Sequence, residues 1–182
     1  MRSIDGDSGH GRPVCPDPPK KLYLLGALPN AHSKLLAVVG SRQYSSYGKE
    51  VCERLLSGLA GHNVTIISGL ALGIDSIAHR ASLKFGLQTI AVPGSGLNGS
   101  VLYPRTHANL AREIVRSGGG LLSEFEPDQQ ARPFTFPQRN RIMAGLAHAV
   151  LIIEAADKSG TLITARLAGD YNRDVLAVPG SI

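Results

Sequence analysis

The chain has 182 residues, of which 43% are hydrophobic, so we expect one domain with a buried core rather than two folded domains. Its formal net charge of +5 favours polyanionic partners, although only 5% of the residues are aromatic. The two cysteines, Cys15 and Cys52, are too few and too far apart for a disulfide framework or a metal cluster, and they are typical of a reducing cytoplasm. No apolar run approaches membrane-spanning length and no secretory signal is evident, so we expect no membrane partner.

Residues 1–20 are rich in Gly, Pro, Asp and Ser and predict a flexible N-terminal arm. From Leu35 onward, short apolar runs rich in β-branched residues recur along the chain. They lack strict alternation, which indicates strands that are buried on both faces. In chain order these runs are LLAVVG, VTIISG, QTIAVPG, GLLSEF, AVLIIEA and DVLAVPG.

Helical patterns fill most of the intervals between these runs. In YGKEVCERLLSGLAG, the side chains of Val51, Leu55 and Leu59 share one helical face, and Gly61 is a stop signal. The other helical segments are THANLAREIVRSGGG, RNRIMAGLAHA and TLITARLAGDYN. Strands that alternate with helices predict an α/β domain over residues 21–182, with a doubly wound, mostly parallel sheet and right-handed crossovers. Ligands of such sheets bind at the carboxyl ends of the strands.

The first of these strand ends carries Gly40, Ser41 and Arg42. Its backbone N–H groups and hydroxyl could hold an anion at a helix N-terminus, and the guanidinium of Arg42 suits phosphate. The alternative is an N-cap serine beside a solvated arginine.

The loop after the second strand, SGLALGID, supplies Ser68, Gly69 and Gly73, while Asp75 is expected to cap the next helix. The two glycines would let a ligand approach the backbone closely, or would serve only tight helix packing. The loop lacks the G-x-G-x-x-G fingerprint, and no acidic residue is suitably placed for a ribose, which argues against a dinucleotide-dependent dehydrogenase.

The segment FTFPQRNRIMAG predicts a helix that begins near Arg139, Asn140 and Arg141. Two arginines at a helix N-terminus oppose the helix dipole, and an anionic partner would resolve that conflict. Phe134 or Phe136 could stack on a nucleobase, or belong to the core.

After the fifth predicted strand, Ser159, Gly160 and Thr161 open a helix whose free N–H groups suit a phosphate, unless this is an ordinary N-cap. In a doubly wound sheet all four loops lie at one edge. We therefore expect them to form a single electropositive cleft.

Several segments carry a resemblance to a known family: VVGSR, SGLALGIDSIAH, TIAVPGSGLN, LLSEF, FPQRNRIMAGL, LIIEA, SGTLITARLA and DVLAVPG. From about Pro18 to its last residue the chain closely resembles the DprA/Smf family of DNA-processing proteins. The resemblance implies an extended Rossmann fold that binds single-stranded DNA without catalysing a reaction and without a cofactor. It further implies that the protein protects incoming strands, forms a homodimer and loads the RecA recombinase during natural transformation. The DNA-binding residues it implies are Ser41, Arg42, Ser68, Gly69, Phe136, Arg139, Arg141, Ser159, Gly160 and Thr161, and the strand-end motifs add Gly40 and Asn140 to the predicted site.

The chain departs from the family pattern in three places. Family members often have a helical domain before the Rossmann core and a winged-helix domain after it, and neither is expected here. The chain stops just after its last predicted strand, so we expect a Rossmann domain cut short at its C-terminal end, which puts the dimer surface and the recombinase contact in doubt. The segment from Asn98 to Tyr103 is longer than the usual pattern, so no contacts are transferred to it.

The main alternative is a nucleotide hydrolase similar to the LOG-like phosphoribohydrolases. Aligning the Gly160-Thr161 segment with their motif places Thr164 where their glutamate stands, and leaves Glu124, Glu126 and Glu154 as other carboxylates near the strand ends. His79 is expected to pack within its helix rather than act as a base. A structural fragment without DNA affinity is the remaining interpretation.

Overall fold

The computed structural model describes residues 2–5, 17–156 and 159–180. Within these residues, eight strands form one sheet in the order β1-β2-β6-β5-β4-β3-β7-β8. Six neighbouring strands run parallel to one another: β6, β5, β4, β3, β7 and β8. Strand β2 is antiparallel to both of its neighbours. The strands are β1 (Arg2–Asp5), β2 (Lys21–Gly26), β3 (Lys34–Val39), β4 (Val64–Ser68), β5 (Gln88–Ala91), β6 (Gly120–Ser123), β7 (Ala149–Ile152) and β8 (Asp174–Ala177).

The helices cover both faces of the sheet. They are α1 (Ser46–Gly58), α2 (Ile74–Lys84), α3 (Ala108–Arg116), α4 (Thr135–Leu146) and α5 (Gly160–Asp170), and a 3-10 turn, Arg105–His107, precedes α3. Helices α1, α2 and α3 pack on one face, and α4 and α5 pack together on the other. Within the described ranges, no helix combines the length and apolar character needed to cross a membrane.

All six strands predicted from the sequence are present, as β3 to β8. The predicted burial on both faces is wrong for β8, which is exposed along its length because it is the outermost strand of the described sheet. Consecutive residues of β3 point to opposite faces, so Val38 packs with the α1–α2 core and Val39 with the α4–α5 core. Both side chains are buried, which explains why this strand lacks hydrophobic alternation.

The N-terminal edge of the sheet differs from the prediction. Strand β2 extends the sheet beside β6, and Arg2–Asp5, inside the predicted flexible arm, pairs with β2. An exposed strand edge offers unpaired N–H and C=O groups, so an extended segment can pair there whatever its composition. The rest of the predicted arm, through residue 16, lies outside the described residues.

Three helix predictions need correction. Helix α1 buries Cys52 and Leu56, and Leu55, assigned to the buried face, is 42% exposed. A buried cysteine behaves as a small hydrophobic residue, which rotates the apolar face by one position.

Two helices begin earlier than predicted. Gly73, not Asp75, is the N-cap of α2, and α4 begins at Thr135, before the two arginines. Pro137 fits the first turn of α4 because no intrahelical acceptor faces its nitrogen there.

Candidate functional site

A cleft of about 760 Å³ opens at the carboxyl ends of β3 and β7. The chain adds strands on one side of β3 and then returns to its other side, so these two strands form the topological switch point at which doubly wound sheets bind ligands. Nine of the twelve residues predicted to contact DNA line the cleft: Gly40, Ser41, Arg42, Phe136, Arg139, Asn140, Ser159, Gly160 and Thr161.

The other three predicted residues lie elsewhere. Gly69 lines a small adjoining cavity that shares Arg42 and Phe136 with the cleft. Ser68 is fully buried and donates its hydroxyl hydrogen bond to the Val38 carbonyl at 2.7 Å, so it links β4 to β3. Arg141 points away from the cleft and forms ion pairs with Glu124 and Asp17.

The turn after β3 is closely held by its neighbours. The backbone N–H of Ser41 donates to the Glu154 carbonyl at 2.7 Å, and its hydroxyl donates to the Gln43 carbonyl at 2.6 Å. A Cβ added to Gly73 would lie 2.6 Å from the Arg42 Cα, so the start of α2 presses on this turn. The Arg42 side chain is exposed and forms no ion pair with the described residues. The backbone of the turn is therefore held in place, and the guanidinium of Arg42 is available to a ligand.

Two buried side chains of opposite charge, Asp75 and Arg139, support the floor of the cleft through hydrogen bonds to the backbone. The carboxylate of Asp75 accepts hydrogen bonds from the N–H groups of Gly69 and Ala71, at 3.1 and 3.4 Å. The guanidinium of Arg139 donates to the carbonyls of Gly69, at 2.6 Å, and Val92. A Cβ at Gly69 would lie 2.5 Å from both Nη2 of Arg139 and Oδ2 of Asp75. These groups therefore enclose Gly69, and only a residue without a side chain fits there.

Burial dominates the protonation of this pair. Desolvation raises the pKa of Asp75, and the charge of Arg139 acts in the opposite direction. Desolvation likewise lowers the pKa of Arg139 to about 10, although Asp75 favours its charged form. Arg139 is only 3% exposed, and it lies in the second turn of α4, where the helix dipole is weaker. Its hydrogen bonds go to buried backbone carbonyls of the protein.

An aromatic surface forms one rim of the cleft. The rings of Phe136 and Tyr103 are 5.6 Å apart at an interplanar angle of 55°, and the guanidinium carbon of Arg42 is 5.2 Å from the Phe136 ring centroid. Tyr103 is 45% exposed and lines the small cavity that adjoins the cleft, whereas Phe134 is exposed and lines neither. No family contacts were transferred to the segment that contains Tyr103. Only the Tyr-Pro dipeptide could have pointed to this residue.

The start of α5 forms the opposite wall. Ser159 is its N-cap, but the Ser159 hydroxyl makes no hydrogen bond within the described residues. The Asn140 amide donates to the Gly160 carbonyl at 3.2 Å and joins α4 to α5. No acidic residue occurs in the first turn of α5, so its free N–H groups favour an anion.

The carboxylates considered for hydrolysis have other partners. Glu154 accepts from the Ser45 N–H at 3.0 Å at the start of α1, Glu126 accepts from the Tyr23 hydroxyl, and Glu124 is paired with Arg141. None of these three carboxylates lines the cleft. Thr164, which does, donates its hydroxyl to the Gly160 carbonyl at 3.3 Å.

His79 is enclosed between α2 and the sheet and is fully buried. Its Nδ1 forms a hydrogen bond with the Thr89 hydroxyl at 2.7 Å. Desolvation lowers the pKa of His79 to about 3, so the ring is neutral at physiological pH. This position fits the expected packing role.

Comparisons with known proteins identify the fold and the family. The family model for DNA recombination-mediator protein A matches residues 12–182. Protein Smf of Escherichia coli (strain K12) is 48% identical over 166 residues, which cover 91% of this chain and 44% of that protein.

Two solved structures match the whole chain. DNA processing protein A from Streptococcus pneumoniae superposes with a TM-score of 0.88 at 39% sequence identity, and the match covers 64% of that protein's chain. DNA processing protein A from Helicobacter pylori superposes with a TM-score of 0.84 at 30% sequence identity, and the match covers 83% of that chain. That structure is described in terms of its single-stranded DNA binding mode. The chain spans about half the length of the curated relatives it matches. It has the Rossmann-like α/β domain of these structures and belongs to the DNA recombination-mediator protein A family, the DprA/Smf family that its motifs resemble.

Proposed function

We propose that the cleft binds the backbone of single-stranded DNA and does so without catalysing a reaction. The observation that carries this proposal is the Arg42 guanidinium, which lies exposed on the Phe136 ring at the cleft rim and has no ion-pair partner among the described residues. The single-stranded DNA binding described for the Helicobacter pylori relative supports the choice of ligand.

The groups around the cleft divide into two kinds. Arg42 and the free amides at the start of α5 would hold phosphates, and the unpartnered hydroxyl of Ser159 would donate to a phosphate oxygen. Nucleobases that no longer stack on their neighbours in the strand would stack on the rings of Phe136 and Tyr103. Backbone contacts and stacking carry little sequence information, so binding should be sequence-tolerant and should favour single strands over duplexes.

The remaining predicted residues have supporting roles in this proposal. Arg139 and Asn140 position the loop after β4 and the start of α5 through their hydrogen bonds to Gly69 and Gly160. Ser68 and Arg141 lie off the cleft, so the proposal assigns them no DNA contact.

For the complete protein we propose the role that the DprA/Smf resemblance implies. In the cytoplasm it would protect incoming single strands during natural transformation and load the RecA recombinase, as a homodimer. Support for this role comes from the relatives, which are named as DNA processing proteins and of which the chain spans only part.

The test is fluorescence anisotropy of a labelled oligothymidine strand across several salt concentrations, with wild type, Arg42→Ala and, as a matched control, Arg54→Ala on α1. We expect log K to fall linearly with log salt, with a slope of about −0.7 per phosphate contacted. Arg42→Ala should weaken binding and flatten the slope by about 0.7, whereas the exposed Arg54 should be replaceable without effect. Duplex should compete poorly.

Two outcomes would contradict the proposal. One is equal loss of binding in both arginine variants, because that would reflect net charge rather than a site. The other is release of free base from nucleoside monophosphates incubated with the chain, which would indicate hydrolysis.

A further inference from the structure

The exposed surface of α2 and α3 is strongly basic. In α2 the exposed side chains are Arg80 and Lys84 alone. In α3 the charged exposed side chains are Arg112, Glu113 and Arg116. We call the four cationic residues Arg80, Lys84, Arg112 and Arg116 the α2–α3 basic patch.

Helical periodicity places each pair of these charges on one exposed side of its helix. Arg80 and Lys84 are four residues apart, as are Arg112 and Arg116, so each pair lies on one side of its helix. In both helices the buried residues lie on the opposite side, so all four side chains face away from the core. Helices α2 and α3 contact each other on the same face of the sheet, and packed helix axes are about 8–10 Å apart.

The charge of this surface is not balanced locally. The exposed side chains of α2 and α3 carry four positive charges and one negative charge, Glu113. None of the four basic side chains forms an ion pair with a described residue. The two charges of each pair, four residues apart on one helix, are within about one Debye length of each other at 0.1 M salt, so they repel unless an anion lies over them.

The neighbouring helix α1 gives a useful contrast. Its charged side chains are Lys49 and Arg54 with Glu50 and Glu53, two of each sign. The basic excess on this face of the protein therefore belongs to α2 and α3, and is not a general property of its helices.

The patch is continuous with the rim of the cleft. Helix α2 begins directly after Gly73, whose Cα packs on the Arg42 backbone. Helix α3 follows Tyr103, at the aromatic rim, through a 3-10 turn that carries the exposed Arg105. Arg80 lies about 9 Å along α2 from its first residue, at 1.5 Å per residue.

We propose that the α2–α3 basic patch is a second contact surface for a nucleic-acid backbone, which receives the part of a single strand that leaves the cleft past Tyr103. This inference rests on the proposed function of the cleft. The repeated phosphates of a strand fit cations spread over two neighbouring helices better than a compact anion does, because different phosphates can contact different charges. The patch should therefore add affinity only for strands that are longer than the cleft.

The experiment compares two fourfold variants with identical net charge. The patch variant is Arg80→Gln, Lys84→Gln, Arg112→Gln and Arg116→Gln. The control is Lys34→Gln, Lys49→Gln, Arg54→Gln and Arg166→Gln, which replaces four exposed cations elsewhere. Anisotropy is measured with oligothymidines of about 6 and about 24 nucleotides. For comparison, one OB fold binds about 4–16 nucleotides of single strand.

We expect the patch variant to bind the short strand like wild type and the long strand about tenfold more weakly near 0.1 M salt. Its salt slope for the long strand should flatten by about 2–3, since up to four contacts are lost at about 0.7 each. The control variant should stay within about twofold of wild type for both strands.

Three results would overturn the inference, and they are distinguishable. Equal weakening by both variants would assign the effect to net charge. Wild-type binding of the long strand by the patch variant would exclude this surface from DNA binding and favour an acidic protein as its partner. Failure of wild type to bind even the short strand would overturn the proposed function, and this inference with it.

Discussion

The guanidinium carbon of Arg42 lies 5.2 Å from the centroid of the Phe136 ring, so one charged group and one aromatic ring share the rim of the cleft. The two side chains should contribute to binding in different ways. Phe136→Ala should weaken binding of oligothymidine by roughly tenfold, since base stacking contributes about 1–3 kcal/mol per base. Because no charge is removed, its salt slope should match that of wild type.

Phe134→Ala is the matched control for this prediction. Phe134 is two residues away and 58% exposed, but it does not line the cleft. Its replacement should leave affinity unchanged. Equal losses from Phe134→Ala and Phe136→Ala, measured by anisotropy at one salt concentration, would argue against a stacking site at the rim.

Gly69→Ala should destabilise the fold. The new methyl group would meet the charged atoms of Arg139 and Asp75, and neither side chain can move into solvent without losing its buried hydrogen bonds. We expect a loss of about 1–3 kcal/mol in the free energy of unfolding, measured by urea denaturation. Gly58→Ala, where an added Cβ meets nothing within 4 Å, should be neutral or slightly stabilising. Equal stability of the two variants would contradict the packing around Gly69.

His79 should make the fold acid-sensitive. Burial lowers its pKa from 6.5 to about 3. Between these pH values the imidazole is therefore protonated in the unfolded chain and neutral in the folded chain. Stability should therefore decline as the pH falls from 6.5 towards about 3, by up to about 1.4 kcal/mol per pH unit. Asp75 acts in the opposite direction, because its raised pKa makes its contribution to stability greatest at low pH and lost as pH rises.

Two variants isolate the histidine effect. His79→Asn should flatten the dependence of the urea midpoint on pH between 6.5 and 3, whereas His62→Gln, at an exposed position, should keep the wild-type dependence. The same pH dependence in wild type and His79→Asn would mean that another group governs acid unfolding.

Cys52 should resist alkylation in the folded protein. It is fully buried, and burial, followed by the charges of Glu53 and Asp75, raises the pKa of its thiol to about 12, so almost no thiolate exists at neutral pH. Mass spectrometry of the peptide that contains Cys52 after iodoacetamide treatment should show modification only when denaturant is present. Rapid labelling under native conditions would indicate that α1 opens locally.

Strands β3 to β7 were predictable because burial on both faces leaves a local signature in the sequence. Strand β8 carries the same apolar signature although all four of its residues are exposed. Strand β2 was not predictable, because it lies antiparallel to both of its neighbours and no crossover helix follows it. The cleft-lining loops were predictable for a similar reason, since in a parallel sheet every strand end lies on the same side.

The partners of individual charges could not be predicted in this way. Arg139 and Arg141 are two residues apart in one motif, yet the first is buried against Asp75 and the second is paired with Glu124 outside the cleft. Tyr103 approaches Phe136 only through the tertiary fold. Such contacts depend on how α4 and the loop after β5 pack, which no local pattern encodes.

The pairing of β3 with β7 joins Leu36 to Ala149, residues more than a hundred positions apart. One wall of the cleft follows β3 and the other follows β7, so neither wall alone makes a site. A polypeptide still emerging from the ribosome has no cleft until α5 has been synthesised and β7 has inserted beside β3. DNA affinity would thus report completed synthesis and folding of this domain, and stalled or prematurely terminated chains would not compete for the strand.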